Sequence, residues 1–466
     1  MEMSQVRSSP NWGEIDQFIE SHPFSSRIRP NIYFIFFDTL RPDLALARGG
    51  AMKRFYDQSW SFEKAYATGT ATWYSMFSMF HGTPAFLVYD TFPKKRENTQ
   101  EYGAIYLKVL KKLGYRLDVL GYDWRCVTSE PSQQTSWSWL LWTTFGYKSR
   151  LIQNCNVDPK YGQVFMSNQD ELTLEQVEKR LKQEVTTPEG RFFLLSFYNN
   201  HNPYKWGGAR SPVSSNVGEK EDFSEPRTTI NRYKNSVVAS DDLFARLLST
   251  LESLPGHENA IYVLLSDHGE MLYEKKGESG HGGIPYEEKI RILLSMRLSS
   301  HHPMNGRLEN QSLADILDVF PTVLDELGVQ PELPAEMVSG VSLLKVKRKS
   351  ILSVKSNQSD PTREMVMVNE SKKAWLRVDD GDFYRSHTLT LQSMTHLDDT
   401  NAPELCDYEN PQDCREKLIA EFPEAIHELY PNIQTQVRRI EVQRAIAQVS
   451  TATQKKKVQK KKGRVK

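Results

Sequence analysis

Two acidic motifs follow the most apolar runs of the sequence. Asp38 comes directly after residues 31–37 (NIYFIFF), and Asp267 and His268 come directly after residues 261–266 (IYVLLS). Ligands collect at the carboxyl ends of strands in open parallel α/β sheets, so we expect both motifs at one edge of a sheet. Two carboxylates and one imidazole would form an oxygen-rich cation site with one nitrogen ligand. Asp38 alone is more simply a cap after a strand, and only the combination indicates a metal site.

A third candidate is a hydroxyl at the start of a predicted helix. Residues 65–82 read AYATGTATWYSMFSMFHG, with small hydroxyl residues first and large apolar residues at helical spacing afterwards. The apolar residues predict the buried face of a helix, which places Thr72 at or near its N-terminus. There Thr72 is either an ordinary N-cap or a hydroxyl held where backbone N–H groups favour an anion.

Two histidines are candidates for protonating a leaving group, because imidazole titrates near physiological pH. His281 is flanked by glycines that let the backbone approach a ligand closely. His201 lies in the segment HNPY, where packing beside Pro203 and Tyr204 is an equally good interpretation.

Basic and aromatic residues near these motifs are candidates for binding the substrate. Arg41 and Lys275 would add positive charge toward an anion, although each is more simply a solvated surface residue. Trp73 either lines the substrate pocket or packs against the protein.

The elements that must position these residues alternate between apolar runs and amphipathic stretches. This alternation predicts a mostly parallel α/β sheet sandwiched by helices. The predicted strands are residues 31–37, 116–120, 191–198 and 261–266, and the predicted helices are residues 101–113, 172–184, 232–254 and 313–327.

The pattern of apolar and polar residues changes after about residue 345. Short alternating stretches separated by Asp and Gly predict a small antiparallel sheet, followed by a helix over residues 413–429. The predicted strands are residues 365–368, 374–378 and 383–389. We therefore divide the chain into an N-terminal extension (1–30), a catalytic domain (31–345), a C-terminal subdomain (346–433) and a polar helix with a basic tail (434–466).

Composition excludes several classes of protein. The 466 residues contain 39% hydrophobic and 25% charged residues, which excludes collagen-like, disulfide-scaffold and wholly disordered proteins. No apolar run approaches the ~18 residues that cross a bilayer. The N-terminus has no charged region followed by an apolar stretch, and the four cysteines show no CxxC spacing. We therefore expect a cytoplasmic protein with ordinary thiols, in preference to a Cys406–Cys414 pair.

The net charge of zero combines two different parts. The chain has 59 basic and 59 acidic side chains, and residues 455–466 (KKKVQKKKGRVK) contribute eight of the basic ones. The remainder is acidic, with 51 basic against 59 acidic side chains. The tail is either a weak contact for nucleic acid or an anionic membrane, or a solubilising end.

The ordered motifs resemble the sulfatase family of the alkaline phosphatase superfamily, and the resemblance covers most of the chain. The segment beginning at Asp38, DTLRPD, is similar to the family's DTLRADH, and Thr72 lies ten residues before Gly82, at the family's nucleophile position. Further matches are HNPY (201–204), YKNSV (233–237), SDHGE (266–270) and GHG (280–282).

The resemblance implies a metal-dependent ester hydrolase or transferase. It implies that Asp38, Thr72, Asp267 and His268 hold one or two divalent cations, with Ca, Mg, Mn and Zn equally compatible. It also implies that His281 and His201 lie beside the reacting group of a small anionic ester. The oligomeric state is not readable from these motifs.

The departures from the family pattern bear on the substrate. Sulfatases oxidise a Cys or Ser followed by x-Pro-x-Arg to formylglycine, whereas this chain reads Thr72-Trp73-Tyr74-Ser75-Met76. A Thr side chain cannot yield an aldehyde. It resembles instead the phosphate-handling branch, such as phosphoethanolamine transferases and phosphoester hydrolases. Thr39 also stands where many sulfatases place a second Asp.

These observations predict attack of Thr72 on a phosphate mono- or diester, with a covalent phospho-threonine intermediate. Two alternatives remain open at this point. One is a sulfuric ester hydrolase that works without formylglycine. The other is a catalytically silent binding protein that keeps the sulfatase fold.

Overall fold

The computed structural model describes a large part of the chain. The described residues are 12–85, 104–122, 164–167, 170–184, 190–204, 226–275, 277–299, 301–335, 337–355, 363–378, 389–396, 410–429 and 440–442.

The described strands and helices are numbered here in chain order. The strands are β1 Ile32–Phe37, β2 Trp60–Tyr66, β3 Arg116–Tyr122, β4 Val164–Ser167, β5 Arg191–Phe197, β6 Ile261–Leu265, β7 Met271–Leu272, β8 Ser279–Gly280, β9 Leu294–Arg297, β10 Leu308–Asp315, β11 Ser350–Val354, β12 Arg363–Asn369, β13 Lys372–Val378, β14 Leu389–His396 and β15 Ile440–Val442. The helices are α1 Trp12–Ser21, α2 Pro42–Ala47, α3 Ala51–Gln58, α4 Thr72–His81, α5 Ile105–Lys112, α6 Asp170–Glu184, α7 Pro226–Glu252, α8 Glu287–Ile290, α9 Val319–Leu327, α10 Pro411–Glu421 and α11 Pro423–Leu429.

A mostly parallel sheet forms the centre of the molecule. In the described part of the chain its strand order is β10-β2-β9-β6-β1-β5-β3-β4, with β9 antiparallel to both of its neighbours. The strand β1 pairs in parallel with β5 on one side and with β6 on the other. Every residue of β1 is buried, as its continuous apolar run predicts for a strand covered on both faces.

Alternate side chains of β1 fill two separate cores. Phe34 packs against Phe320 of α9, with ring centroids 4.9 Å apart. Tyr33 points to the other face and stacks on Phe193 of β5 at 5.2 Å. Helices therefore cover both faces of the sheet, which confirms the predicted α/β class.

A second, smaller sheet is built from the C-terminal strands in the order β11-β12-β13-β14-β15. Strands β11 to β14 pair antiparallel, and β15 pairs in parallel with β14. The apolar core on one face of the central sheet continues into this sheet. Arg348, just before β11, also forms a buried ion pair with Asp318 at the edge of the central sheet. The predicted small C-terminal sheet with a following helix is confirmed, whereas the exact domain boundaries stay a prediction.

Three of the predicted helices need correction. Residues 313–315 belong to β10, because they pair in parallel with β2, and the helix begins only at Val319 after a 3-10 turn at Ile316–Asp318. The described part of the predicted polar helix from residue 434 is the short strand β15. The predicted helix over residues 413–429 is two helices, α10 and α11.

Other expectations concern residues outside the described ranges. The predicted strand over residues 383–389 lies there except for Leu389, as do residues 1–11 and the basic tail. Cys414 is disulfide-bonded, so the expectation of an ordinary thiol is wrong for this residue. None of the helices in the described part of the chain has the length and apolar character needed to cross a membrane.

Candidate metal centre and active site

Three predicted metal ligands meet at the carboxyl ends of the neighbouring strands β1 and β6. Asp38, Asp267 and His268 each offer a ligand atom within 4.8 Å of the others, and all three residues are buried. Since β1 and β6 pair in parallel, their ends meet at one edge of the sheet. The sequence prediction that these residues come together is confirmed.

The hydrogen bonds of Asp267 and His268 to backbone groups leave one ligand atom of each residue facing the cluster. Asp267 Oδ1 accepts from the backbone N–H groups of Thr39 (3.2 Å) and His268 (2.9 Å). Asp267 Oδ2 is buried and accepts no hydrogen bond from a described residue. His268 Nδ1 lies 2.9 Å from the carbonyl oxygen of Gly269, which can only accept, so Nε2 carries the lone pair. An orphaned carboxylate oxygen beside a neutral imidazole nitrogen fits a divalent cation.

The electrostatics of the three residues support this interpretation. Burial raises the pKa of Asp38 well above its usual range, and the nearby Asp267 carboxylate raises it further. Burial raises the pKa of Asp267 to about 6. Burial also lowers the pKa of His268 well below its ordinary value, with a smaller contribution from His281. The protein alone therefore disfavours charge here, and a bound cation would offset the repulsion between the carboxylates.

The turn after β1 is held in a conformation that few Thr residues adopt. Thr39 has φ 58°, in the left-handed region. The hydroxyl of Tyr233, on α7, accepts from the N–H of Arg41 (2.8 Å) and donates to the carbonyl oxygen of Thr39 (2.7 Å). Two hydrogen bonds from one buried phenol therefore fix the turn that presents Asp38.

Thr72 lies beside the cluster of Asp38, Asp267 and His268 and does not cap its helix. The N-cap of α4 is Ala71, which makes no side-chain capping bond, and Thr72 is the first helical residue. The Oγ1 atom of Thr72 lies 3.2 Å from His268 Nε2 and 3.4 Å from Asp38 Oδ2. The interpretation of Thr72 as an ordinary N-cap is therefore wrong. The helix N-terminus beside this hydroxyl favours an anionic group.

His281 lies next to the cluster and has a carboxylate partner. Its ring centroid is 4.8 Å from that of His268, and its Nδ1 lies 3.0 Å from Glu270 Oε2. Burial by itself lowers the pKa of His281, but the Glu270 carboxylate has the larger combined effect, so the pKa is raised from 6.5. The imidazolium form is thus favoured beside His268.

His201 is the third imidazole of the site. Its ring lies 4.6 Å from that of His281 and stacks on Tyr198 at 4.1 Å. Its Nδ1 is 2.7 Å from the carbonyl oxygen of Asn202. Burial lowers the pKa of His201 to about 3, with His281 adding to the effect. The two histidines therefore differ in charge, with His201 neutral.

The glycine-rich loop that carries His281 is attached to the segment before Thr72. Gly280, Gly282 and Gly283 all have positive φ, which explains the glycines of GHGG. The backbone N–H of Gly282 donates to the carbonyl oxygen of Thr70 (2.6 Å), and the Thr70 hydroxyl donates to that of Gly283 (3.1 Å). The two segments are therefore fixed relative to each other.

Two of the predicted substrate-binding residues have carboxylate partners. Arg41 is only 8% exposed and pairs with Asp43 and Glu274, so the expectation of a solvated residue is wrong. Lys275 is half-buried, with Nζ 3.8 Å from Glu288 Oε1. A cation already paired with a carboxylate is a weaker anchor for an anion. The side chain of Trp73 lies outside the described residues.

Sequence reasoning missed two residues of the site. Glu270 directly follows the DHG motif, and Tyr204 ends the HNPY motif, but neither was assigned a role. The Tyr204 hydroxyl donates to Glu270 Oε1 at 3.0 Å. Glu270 could have been noticed as an ionisable residue inside a motif. The sequence spacing does not connect it to His281, which is eleven residues away.

The fold and the site together define an α/β protein with a buried Asp-Asp-His cluster at the carboxyl ends of its strands. A model of the sulfatase family matches residues 30–329. The chain belongs to the sulfatase family.

Three known proteins show how far the similarity extends. An endo-4-O-sulfatase of Bacteroides thetaiotaomicron is 24% identical over 166 residues, which cover 31% of this chain and 30% of that protein. The structure of a 2-O GAG sulfatase is similar with a TM-score of 0.60 and 14% identity, over 90% of this chain and 96% of that one. A protein of the alkaline phosphatase superfamily from Vibrio parahaemolyticus is similar with a TM-score of 0.54 and 15% identity, over 88% and 89% of the two chains. The sequence match thus spans less than a third of the curated relative, while the fold is shared over nearly the whole chain.

Proposed function

We propose that the protein is a metal-dependent hydrolase or transferase that acts on a phosphate mono- or diester, with Thr72 as the nucleophile. The observation that supports this proposal is the position of Thr72 Oγ1, 3.2 Å from His268 Nε2 and 3.4 Å from Asp38 Oδ2. A hydroxyl among metal-ligand atoms and at a helix N-terminus is placed to attack an anionic ester.

The residues divide the work between activation and protonation. A divalent cation held by Asp38, Asp267 and His268 would lower the pKa of the Thr72 hydroxyl and offset negative charge on the phosphoryl oxygens. Thr72 Oγ1 loses its proton to solvent and bonds to phosphorus, while the bond from phosphorus to the leaving oxygen breaks. His281 is the donor for the leaving oxygen, because its other nitrogen faces the carboxylate of Glu270.

The second half of the reaction releases the phosphoryl group from Thr72. Water, or an acceptor alcohol, attacks phosphorus and gives its proton to His281. The bond between Thr72 Oγ1 and phosphorus breaks, and Thr72 Oγ1 takes a proton from solvent, which restores the hydroxyl. The neutral His201 is a hydrogen-bonding partner for the substrate in this scheme and does not supply the proton.

A second candidate function is hydrolysis of a sulfate ester. It is favoured by the name of the related endo-4-O-sulfatase and by that of the structurally similar 2-O GAG sulfatase. It would require a route without formylglycine, because Thr72 cannot form an aldehyde. A catalytically silent binding protein is the third candidate, since the tryptophan and tyrosine after Thr72 depart from the family pattern.

A paired comparison of substrates separates the three candidates. The purified protein, supplied with Mg²⁺, Mn²⁺, Ca²⁺ or Zn²⁺ in turn, is assayed with 4-nitrophenyl phosphate, bis(4-nitrophenyl) phosphate and 4-nitrophenyl sulfate. We expect faster turnover of a phosphate ester than of the sulfate ester, and loss of activity with chelator. Thr72→Ala is expected to lower kcat by about 10³-fold or more, and Thr72→Ser to retain part of it.

The control variant is Thr83→Ala, because Thr83 lies after the other end of α4 and its hydroxyl donates to the carbonyl oxygen of His81. It should leave the rate unchanged. Faster turnover of the sulfate ester would support the second candidate. Equal rates for wild type and Thr72→Ala would exclude Thr72 as the nucleophile, and no turnover of any ester by metal-loaded protein would support the silent protein.

A further inference from the structure

Glu270 is a carboxylate whose part in the proposed reaction is indirect, through its contact with His281. It is fully buried, and within the described residues it forms an ion pair with His281 but with no Lys or Arg side chain. Burying a carboxylate without a basic partner is costly unless its oxygens are hydrogen-bonded. The two oxygens of Glu270 have different partners, which indicates what the residue does.

Tyr204, Glu270 and His281 form a chain of directed hydrogen bonds. The Tyr204 hydroxyl donates to Glu270 Oε1 at 3.0 Å. Glu270 Oε2 lies 3.0 Å from His281 Nδ1. A carboxylate between two groups can only accept, so Nδ1 of His281 carries the hydrogen and Nε2 is the atom left for the substrate.

The backbone around His281 cannot orient the ring by itself. The neighbours Gly280, Gly282 and Gly283 have no side chains to pack against it, and all have positive φ. Tyr204 is likewise held at φ 55°, in the left-handed region that a tyrosine seldom adopts. This unusual backbone conformation occurs at the residue whose hydroxyl donates to Glu270.

We propose that Glu270 is a positioning residue for the reaction, which fixes the ring of His281 so that Nε2 faces the leaving oxygen, and that Tyr204 holds Glu270 in turn. This inference rests on the proposed function of Thr72 and His281. Glu270 touches neither the substrate nor the reacting atoms, and it remains a carboxylate throughout.

The role predicts a dependence on the leaving group. When the bond from phosphorus to the leaving oxygen breaks, the proton of His281 Nε2 passes to that oxygen. A phenoxide leaving group needs this proton more than 4-nitrophenoxide, which is a weaker base. Loss of the correct orientation of the His281 ring should therefore slow cleavage of the phenyl ester more than cleavage of the 4-nitrophenyl ester.

The experiment measures the rates of wild type and four variants with phenyl phosphate and with 4-nitrophenyl phosphate. The variants are Glu270→Ala, Glu270→Gln, Tyr204→Phe and His281→Ala. We expect Glu270→Ala to lower kcat for the phenyl ester about tenfold more than for the 4-nitrophenyl ester, with little change in KM. In Glu270→Gln this difference between the two esters should be smaller than in Glu270→Ala, because the amide oxygen still accepts from Nδ1 of His281. Glu270→Ala should have little further effect when His281 is already Ala.

A measurement independent of turnover separates this inference from the proposed function. In protein labelled with ¹⁵N-histidine, the Nδ1–H signal of His281 should appear in wild type and Glu270→Gln and be lost in Glu270→Ala. Metal content and Tm are measured for each variant, so that a folding defect is recognised. If Glu270→Ala keeps the Nδ1–H signal, or slows both esters equally, the positioning role is wrong, even when Thr72→Ala is inactive.

Discussion

The backbone N–H of Thr39 donates a 3.2 Å hydrogen bond to Asp267 Oδ1, and this contact joins the ends of β1 and β6. It occupies the oxygen of Asp267 that faces the turn and leaves Oδ2 toward Asp38 and His268. Thr39 keeps a left-handed conformation that costs on the order of 1–3 kcal/mol. Thr39 stands where many sulfatases place a second Asp. Its backbone N–H orients the carboxylate of Asp267 in the ligand cluster.

Asp267→Asn should stabilise the metal-free protein at neutral pH. The Asn side chain keeps an oxygen for the two backbone donors and removes a charge next to Asp38. Because burial raises the pKa of Asp267 from 3.8 to about 6, the acid form favours folding at low pH, and this contribution is lost as pH rises through about 6. In chelator, we expect Tm of Asp267→Asn to exceed that of wild type by about 3 °C or more at pH 7.5.

At pH 4 the difference should nearly vanish, since Asp267 is then protonated in the folded protein. Added divalent cation should raise the Tm of wild type and leave that of Asp267→Asn almost unchanged. Scanning calorimetry at both pH values measures these shifts. A lower Tm for Asp267→Asn in chelator at pH 7.5 would contradict the interpretation of repulsion between the carboxylates.

Arg41→Met should affect stability more than substrate affinity. Arg41 is paired with Asp43 and Glu274 and donates to the backbone carbonyl of Glu270, so removing it leaves these acceptors without their donor. We expect a loss of about 1–3 kcal/mol in the free energy of unfolding, with KM changed less than about twofold. Urea unfolding and steady-state kinetics test the two parts. A large rise in KM without loss of stability would restore Arg41 as a substrate anchor.

Metal analysis should give one tightly bound divalent cation per chain. Within the described residues, Asp38, Asp267 and His268 form the single group of three or more ligand side chains close enough to hold an ion. Equilibrium dialysis followed by elemental analysis counts the ions, and Asp267→Ala is the matched variant that should lose the cation. Two equally tight ions per chain in wild type would contradict this expectation.

Removing residues 455–466 should leave turnover of a small aryl ester unchanged. This segment carries eight basic residues and lies outside the family match. If it contacts nucleic acid or an anionic membrane, full-length protein should sediment with anionic vesicles or bind DNA at low salt, and the truncated chain should not. Equal behaviour of both chains would identify the tail as a solubilising end.

The ligand cluster could be predicted because it depends on strand ends. The apolar runs before Asp38 and Asp267 predict buried strands, and the geometry of a parallel sheet places their carboxyl ends at one edge. That the two strands are neighbours is seen only in the structure. The position of Thr72 followed from the family pattern. Its hydroxyl contact with Asp38 and His268 required the structure, because a hydroxyl at a helix start serves equally well as an N-cap.

The remaining features depend on contacts between distant parts of the chain. Arg41 meets Glu274 more than two hundred residues away, and no local pattern distinguishes it from a surface arginine. Strand β10 has a mixed sequence, LENQSLAD, and forms because it pairs with β2 at the edge of the sheet. Glu270 acquires a role only when the glycine loop brings His281 beside it.

The most direct test of the central claim is to trap the covalent intermediate. Metal-loaded protein is mixed with excess 4-nitrophenyl phosphate, quenched in acid within the first turnovers, digested and examined by mass spectrometry. We predict one added phosphoryl group on Thr72, the same group on the introduced serine of the Thr72→Ser variant, and no addition at this position in Thr72→Ala. Turnover of the ester with no phosphoryl group on Thr72 at any quench time, together with unchanged turnover by Thr72→Ala, would contradict the account.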